Sequence, residues 1–267
     1  MIICGFDVET NGLKPGDNRV TEIGMQIVDW ESPQRMTWNP AWGCLAWDET
    51  YPPQSDLIVK LTGITDEDLK SKGAKPNQMW HDFGAMLVEH GVEVMIAHNA
   101  QFDKGFFTAE ITRYRDEFSE EQFDYLMKIP WVCTMRDIVH PSEFKCRKLA
   151  HLALDYGVAV DPEKMHRATE DVNVMMMMCL KAHVDWGKLL GRSSTPWVVI
   201  RAMIPPPFGA NSDGGAGKEK AKTCGFGYQK APGTDLPELK NAWLKRVKQD
   251  EVASEEEKLG YKVSIVS

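Results

Sequence analysis

A run of apolar and small residues, Met1–Phe6, ends in two carboxylates two positions apart, Asp7 and Glu9. A short apolar run of this kind reads as a buried strand, and period two then puts both acids on one face. A carboxylate facing a core must be paired or must hold a cation. The chain therefore needs a sheet with this run near its middle and an arrangement that receives the acids.

The rest of the front half supplies such a sheet. Val20–Val28 carries Thr21, Ile23, Met25 and Ile27 at period two and predicts a second strand, and Gln34–Trp38 a third. Residues 39–76, rich in Pro, Trp and Asp, predict a long irregular connection with one helical turn at Asp66–Lys70. The period then changes: Met79, Trp80, Phe83, Met86 and Leu87 share a helical face that Gly91 ends. Val92–Ala97 follows as a buried strand, Phe102–Arg115 as a helix, Trp131–Met135 as a strand and Lys145–Tyr156 as a helix stopped by Gly157. Thr169–Trp186 predicts a long helix with Val174, Met175, Met178 and Ala182 on one stripe. At helical spacing that methionine run reads as core packing. Strands first, then strands alternating with helices, predict an α/β fold with a mixed sheet flanked by helices.

Two further acids stand beside this frame. Asp103 follows the strand Val92–Ala97 through the loop His98–Gln101, and Asp171 lies in the first turns of the long helix. With Asp7 and Glu9 they make the oxygen-rich set that two Mg²⁺ ions need, an arrangement able to clamp both oxygens of a phosphodiester displacement. His166 precedes Asp171 by five residues, ~140° apart on one helix. It is therefore expected before the helix, on a loop where it could take a proton from water. Trp38, Trp42 and Trp47 either stack on bases or pack the long connection.

These residues resemble a family. Phe6-Asp7-Val8-Glu9-Thr10-Asn11-Gly12-Leu13 is similar to the first motif of the DEDD 3′→5′ exonucleases, and His98-Asn99-Ala100-Gln101-Phe102-Asp103 to the second. His166-Arg167-Ala168-Thr169-Glu170-Asp171 resembles the third in its His-x4-Asp form, that of the DEDDh, DnaQ-like subgroup. Leu61-Thr62-Gly63-Ile64-Thr65 looks like the segment between motifs one and two, with Thr62 where the family usually has His. The resemblance covers residues 1–186 and is nearest to the epsilon subunit of DNA polymerase III, ribonuclease T and exonuclease X. It implies a ribonuclease H-like fold and two Mg²⁺ ions, replaceable by Mn²⁺, on Asp7, Glu9, Asp103 and Asp171. It also implies His166 as general base, with Thr10, Leu13 and Asn99 as substrate contacts. The implied reaction is hydrolysis at a 3′ end, with single-stranded DNA favoured and nucleoside 5′-monophosphates released. An exoribonuclease, or a scaffold that binds nucleic acid without cleaving it, are the alternatives. A polymerase or another replication or repair protein is an expected partner.

Charge divides the chain. Of its 267 residues, 1–186 hold 18 Lys and Arg against 30 Asp and Glu, whereas 187–267 hold 13 against 9. The expected division is a catalytic domain at 1–186, a Pro/Gly-rich linker at 187–217 and a small basic α+β appendage at 218–267. In the last, Lys222–Lys230 and Ala242–Lys248 predict a hairpin, Val252–Leu259 a helix and Tyr261–Val266 a strand. Phe226, Tyr228 and Trp243 lie among its basic residues and suggest stacking on nucleic acid. No apolar window is long enough to span a membrane. The six cysteines form no CxxC pair, so reduced thiols and a cytoplasmic location are expected.

Overall fold

The computed structural model describes residues 1–31, 41–205, 213–229 and 242–266. They divide into two compact units, residues 1–190 and 191–267.

The first unit is built on a five-stranded mixed sheet. Its strands are β1 (Ile2–Thr10), β2 (Val20–Asp29), β3 (Trp42–Leu45), β4 (Val94–Ala97) and β5 (Trp131–Cys133), in the order β3-β2-β1-β4-β5. β1 is central, antiparallel to β2 and parallel to β4. Both sheet faces are covered. Cys4, Phe6 and Val8 point into an aromatic core with Trp80 and Phe83 from α3 (Pro76–Glu89) and Phe106 and Phe107 from α4 (Ala100–Arg113). Ile3 points the other way, towards α6 (Leu149–Asp155) and α7 (Ala168–Lys181), whose Met175, Met176 and Met178 are buried there. The methionine run is core, as its spacing predicts.

Two glycines let α7 approach the sheet. A Cβ on Gly5 would stand 2.7 Å from the Met176 sulfur, and one on Gly24 would stand 2.3 Å from the Ala168 carbonyl group. At those positions any side chain would hold the start of α7 away from β1 and β2.

The structure revises several expectations. The third strand is Trp42–Leu45; Gln34–Trp38 lies outside the described residues. The long connection contains two helices, α1 (Asp56–Thr62) and α2 (Asp66–Lys72). Ser55 and Thr65 cap them by accepting backbone N–H bonds. A further helix, α5 (Glu120–Lys128), starts at a Ser119/Gln122 capping box. α7 ends at Lys181 because His183 adopts a left-handed backbone, φ 49°. α8 (Trp186–Ser194) then starts afresh.

The second unit carries a four-stranded antiparallel sheet, β7-β8-β6-β9: β6 (Trp197–Ala202), β7 (Gly227–Gln229), β8 (Ala242–Lys248) and β9 (Val263–Ile265). The expected linker thus contains most of α8 and all of β6, and β6 pairs with both β8 and β9. The aromatic and β-branched run Trp197–Ile200 favours that strand. The expected strand Lys222–Lys230 is shortened to β7 because α9 (Ala216–Thr223), rich in Ala and Lys, runs into it. α10 occupies Val252–Leu259 as predicted. Phe226 is buried in this unit's core with Ile200 and Val247, so it offers no face for stacking. Tyr228 is 44% exposed and lies 5.2 Å from the Trp243 ring. No described helix is long and apolar enough to cross a membrane.

Candidate carboxylate centre

β1 delivers Asp7 and Glu9 at the end of its run, on the face towards α7. Asp7 stands opposite Gly24 and Glu9 opposite Glu22 on β2. Asp103 arrives from the first turn of α4. Asn99, at φ 67° in the left-handed region, ends the turn after β4 and starts that helix. The Asp103 carboxyl is 2% exposed and accepts a backbone hydrogen bond from Val8 on β1. Asp171, 9% exposed, comes from the first turn of α7. Its Oδ1 accepts the backbone N–H of His166 at 3.4 Å.

His166 lies two residues before α7 with a left-handed backbone, φ 63°. Its side chain is exposed. Glu9, His166 and Asp171 can each bring one ligand atom within 4.8 Å of the others.

The electrostatics mark a cluster short of positive charge. Burial holds the Asp7 carboxyl well above the usual carboxylate range, and repulsion from Asp103, Asp171, Glu9 and Glu22 adds to it. Glu9 is pushed up to about 9, first by burial, then by Asp171, Glu22 and Asp103, with Arg167 opposing. Burial raises Asp103 to about 8 against its backbone hydrogen bonds. Asp171 rises to about 6 by burial, with the His166 N–H opposing.

The expected substrate contacts surround this end of the sheet. Thr10 is 9% exposed, and its hydroxyl donates to the Gly12 carbonyl at 2.6 Å. Leu13 is 81% exposed. It lines a shallow groove of about 290 Å³ with Pro15, Asn99, Gln101, Phe102 and Arg136. Arg136 donates to Gln101 and Asn99 at 3.2 and 3.4 Å. Of the tryptophans in the long connection, Trp42 packs on the aromatic core and Trp47 lies under the Lys75 ammonium.

Sequence reasoning missed two residues here. Glu22, 3% exposed, is bound by the Arg167 guanidinium. The available signal was a charged residue inside an apolar strand, on the same β2 face as the invasive Gly24. Arg136 was missed as well, since a lone arginine in a loop carries no pattern.

Comparison with known proteins places the chain in a family. A family model described as exonuclease matches residues 4–178. The epsilon subunit of DNA polymerase III from Treponema pallidum is 30% identical over 173 residues, covering 64% of this chain and 71% of that protein. The PolC-type DNA polymerase III of Halalkalibacterium halodurans is 33% identical over 102 residues, 38% of this chain but 6% of that protein. Among solved structures, the zinc-bound complex of E. coli exonuclease I with single-stranded DNA superposes with a TM-score of 0.62 at 12% identity. That match covers 98% of this chain and 68% of the other. A 3′-exonuclease that recognises a histone mRNA stem-loop gives 0.51 at 13% identity, over 67% of this chain and 62% of the other. The mixed sheet flanked by helices is the ribonuclease H-like fold that the motifs imply.

Proposed function

Because this chain belongs to the exonuclease family, we propose that it is a metal-dependent 3′→5′ exonuclease that releases nucleoside 5′-monophosphates, with single-stranded DNA as its favoured substrate. The observation that carries this reading is the gathering of Asp7, Glu9, Asp103 and Asp171 at one end of the central strand, with His166 at its rim.

The donor set fits hard divalent cations. It is all carboxylate oxygen apart from one imidazole, and burial together with mutual repulsion raises its proton affinity, with Arg167 opposing at Glu9. Asp7, Glu9, Asp103 and Asp171 would hold two Mg²⁺ or Mn²⁺ ions. Bound there, such ions supply Lewis acidity and positive charge to the phosphodiester.

The chain's own groups do the rest. The exposed His166 imidazole accepts a proton from the attacking water. The water oxygen bonds to phosphorus as the bond to the 3′ oxygen of the preceding nucleotide breaks. Thr10, through its backbone, contacts the terminal nucleotide. Leu13 presents an exposed apolar side chain on which the terminal base can lean, and Asn99 holds the loop that aims Asp103. The likeness to exonuclease I spans both units and supports DNA. The likeness to a 3′-exonuclease that recognises a histone mRNA stem-loop supports RNA as a second reading. The relation to polymerase III subunits supports a replication partner.

We assign residues 1–190 the chemistry and residues 191–267 a contact with the strand, through the exposed Arg246 lying over the Trp197 ring. The test is digestion of labelled single-stranded DNA, duplex DNA and RNA side by side, with Mg²⁺, Mn²⁺ or EDTA. Metal-dependent release of mononucleotides from a 3′ end is expected, fastest on single-stranded DNA. No metal-dependent release from any substrate would overturn the reading.

A further inference from the structure

Glu22, itself buried, is a fifth carboxylate at the centre, and it stands directly opposite Glu9 on the neighbouring strand. Like charges in that position destabilise a sheet, so its place there calls for a partner. Arg167 is that partner. Its Nε donates to both Glu22 oxygens, at 3.2 and 3.1 Å, and its Nη2 donates to Oε1 at 2.6 Å. The backbone N–H of Ala168 donates to Oε2 at 3.0 Å. Three N–H groups thus converge on the carboxylate, the single Nε–H being shared between its two oxygens. A guanidinium and a backbone N–H directed at both oxygens commit Glu22 to the third motif rather than to a cation. This separates it from Asp7, Glu9, Asp103 and Asp171.

Arg167 sits between the two functional residues of the third motif. Its carbonyl accepts the N–H groups of Glu170 and Asp171 at 2.9 and 3.0 Å. Asp171 in turn accepts the N–H of His166. His166 holds a left-handed backbone, which a non-glycine residue keeps only when its surroundings fix it. Two residues further along β2, Gly24 lets the strand meet Ala168. The segment is therefore anchored to β2 at its guanidinium, at its first helical N–H and by close packing.

We propose that Glu22 and Arg167 form a clamp that fixes His166 and Asp171 against β1, making both positioning residues for the reaction. The clamp also places a carboxylate at the N-terminus of α7, where the helix dipole favours it. The proposal rests on the exonuclease reading for its effect on turnover, and on geometry alone for its effect on His166.

The test uses the full chain with Glu22→Gln, Arg167→Met and the double variant. kcat and KM are measured on a short 3′-labelled oligonucleotide. The imidazole resonances of His166, identified by their loss in His166→Gln, are followed by NMR. Misplacing a reacting group by about 1 Å can cost ~10²-fold. Each single variant should lose roughly 10- to 100-fold in kcat, KM should stay within about threefold, and the His166 signals should shift. The double variant should lose no more than the worse single. Arg167→Met leaves the buried Glu22 charge without its partner, whereas Glu22→Gln removes that charge and leaves only the half-exposed Arg167 unpaired, so Glu22→Gln should fold even if Arg167→Met does not, and it then carries the test. Unchanged kcat in a folded variant overturns the clamp. So does a rise in KM at constant kcat, which would make Arg167 a direct phosphate contact, or losses that multiply in the double variant. If the unmodified protein releases no nucleotide yet its His166 signals move in both variants, the exonuclease reading fails and the clamp stands. Unmoved signals end the clamp in either case.

Discussion

Asp171→Asn should stabilise the metal-free protein while abolishing its activity. Burial and its acidic neighbours raise the Asp171 carboxyl from its ordinary 3.8 to about 6. A raised folded value means that the folded chain holds the proton more tightly than the unfolded one. The stability this contributes is complete below about pH 4 and is lost as pH rises through about 6. At ~1.4 kcal/mol per pH unit, the ionised side chain costs the fold about 3 kcal/mol by pH 8. Asp171 is 9% exposed, so water does little to screen that cost. Asparagine removes the charge and keeps an oxygen for the His166 N–H. For a unit of this size ~1 kcal/mol moves Tm by about 2–4 °C, so the variant should melt roughly 6–12 °C higher in EDTA at pH 8. At pH 3, below both the folded and the unfolded value, the two proteins should melt together. Saturating Mg²⁺ should raise the unmodified protein's Tm, by ~2.7 kcal/mol of stability at a hundredfold excess over Kd, and the variant's much less. Thermal melts across this pH range, with and without Mg²⁺, check all of this. A variant no more stable than the parent in EDTA at pH 8 would refute the electrostatic account of the centre.

Other expectations follow from single positions. His166→Ala should lose ~10²–10⁴ in rate yet bind single-stranded DNA as before; an unchanged single-turnover rate would place the proton elsewhere. Leu13→Ala, at an 81% exposed site, should leave stability within about 0.5 kcal/mol and raise KM on single-stranded substrates severalfold. Equal KM values would remove Leu13 from the substrate site. Gly24→Ala would put a Cβ 2.3 Å from the Ala168 backbone; it should cost about 1–3 kcal/mol and depress kcat with it. Denaturant melts and steady-state rates on the same preparation would expose a variant that loses neither.

The legible parts of the fold were those with one strong period. β1 and β2 carry apolar runs because they are buried on both faces, and α3 and α7 carry apolar stripes because each buries one side; the acids of β1 and α7 stand out against those patterns. The less legible parts take their order from local caps and strand partners. α1 and α5 are short, and Ser55 and Ser119 mark their starts more clearly than any periodicity does. β6 was hidden between a helix and a proline run, although Trp197–Ile200 has a strand's composition. Its partners, β8 and β9, lie more than 40 residues further on. No local window reveals such pairing. It also moves the point at which the chain can be divided: a cut after Pro207 would strand β6 without its neighbours, whereas the boundary at residues 190 and 191 keeps the second sheet whole.

Glu22 was missed for a related reason. In a strand with one wet face, a charged residue out of phase with the apolar ones points to solvent. β2 has no wet face over that stretch, because α7 lies on the side of Glu22, Gly24 and Gln26, all buried. The glycine was the clue, since only a close neighbour requires one between two polar residues in a strand. Once α7 is placed there, Glu22 must meet its N-terminus, and an arginine at the helix's first boundary becomes the natural counter-charge. The third motif then carries more than its histidine and aspartate. The residue between them binds the segment to the strand that neighbours β1, so both ends of the centre share one rigid sheet.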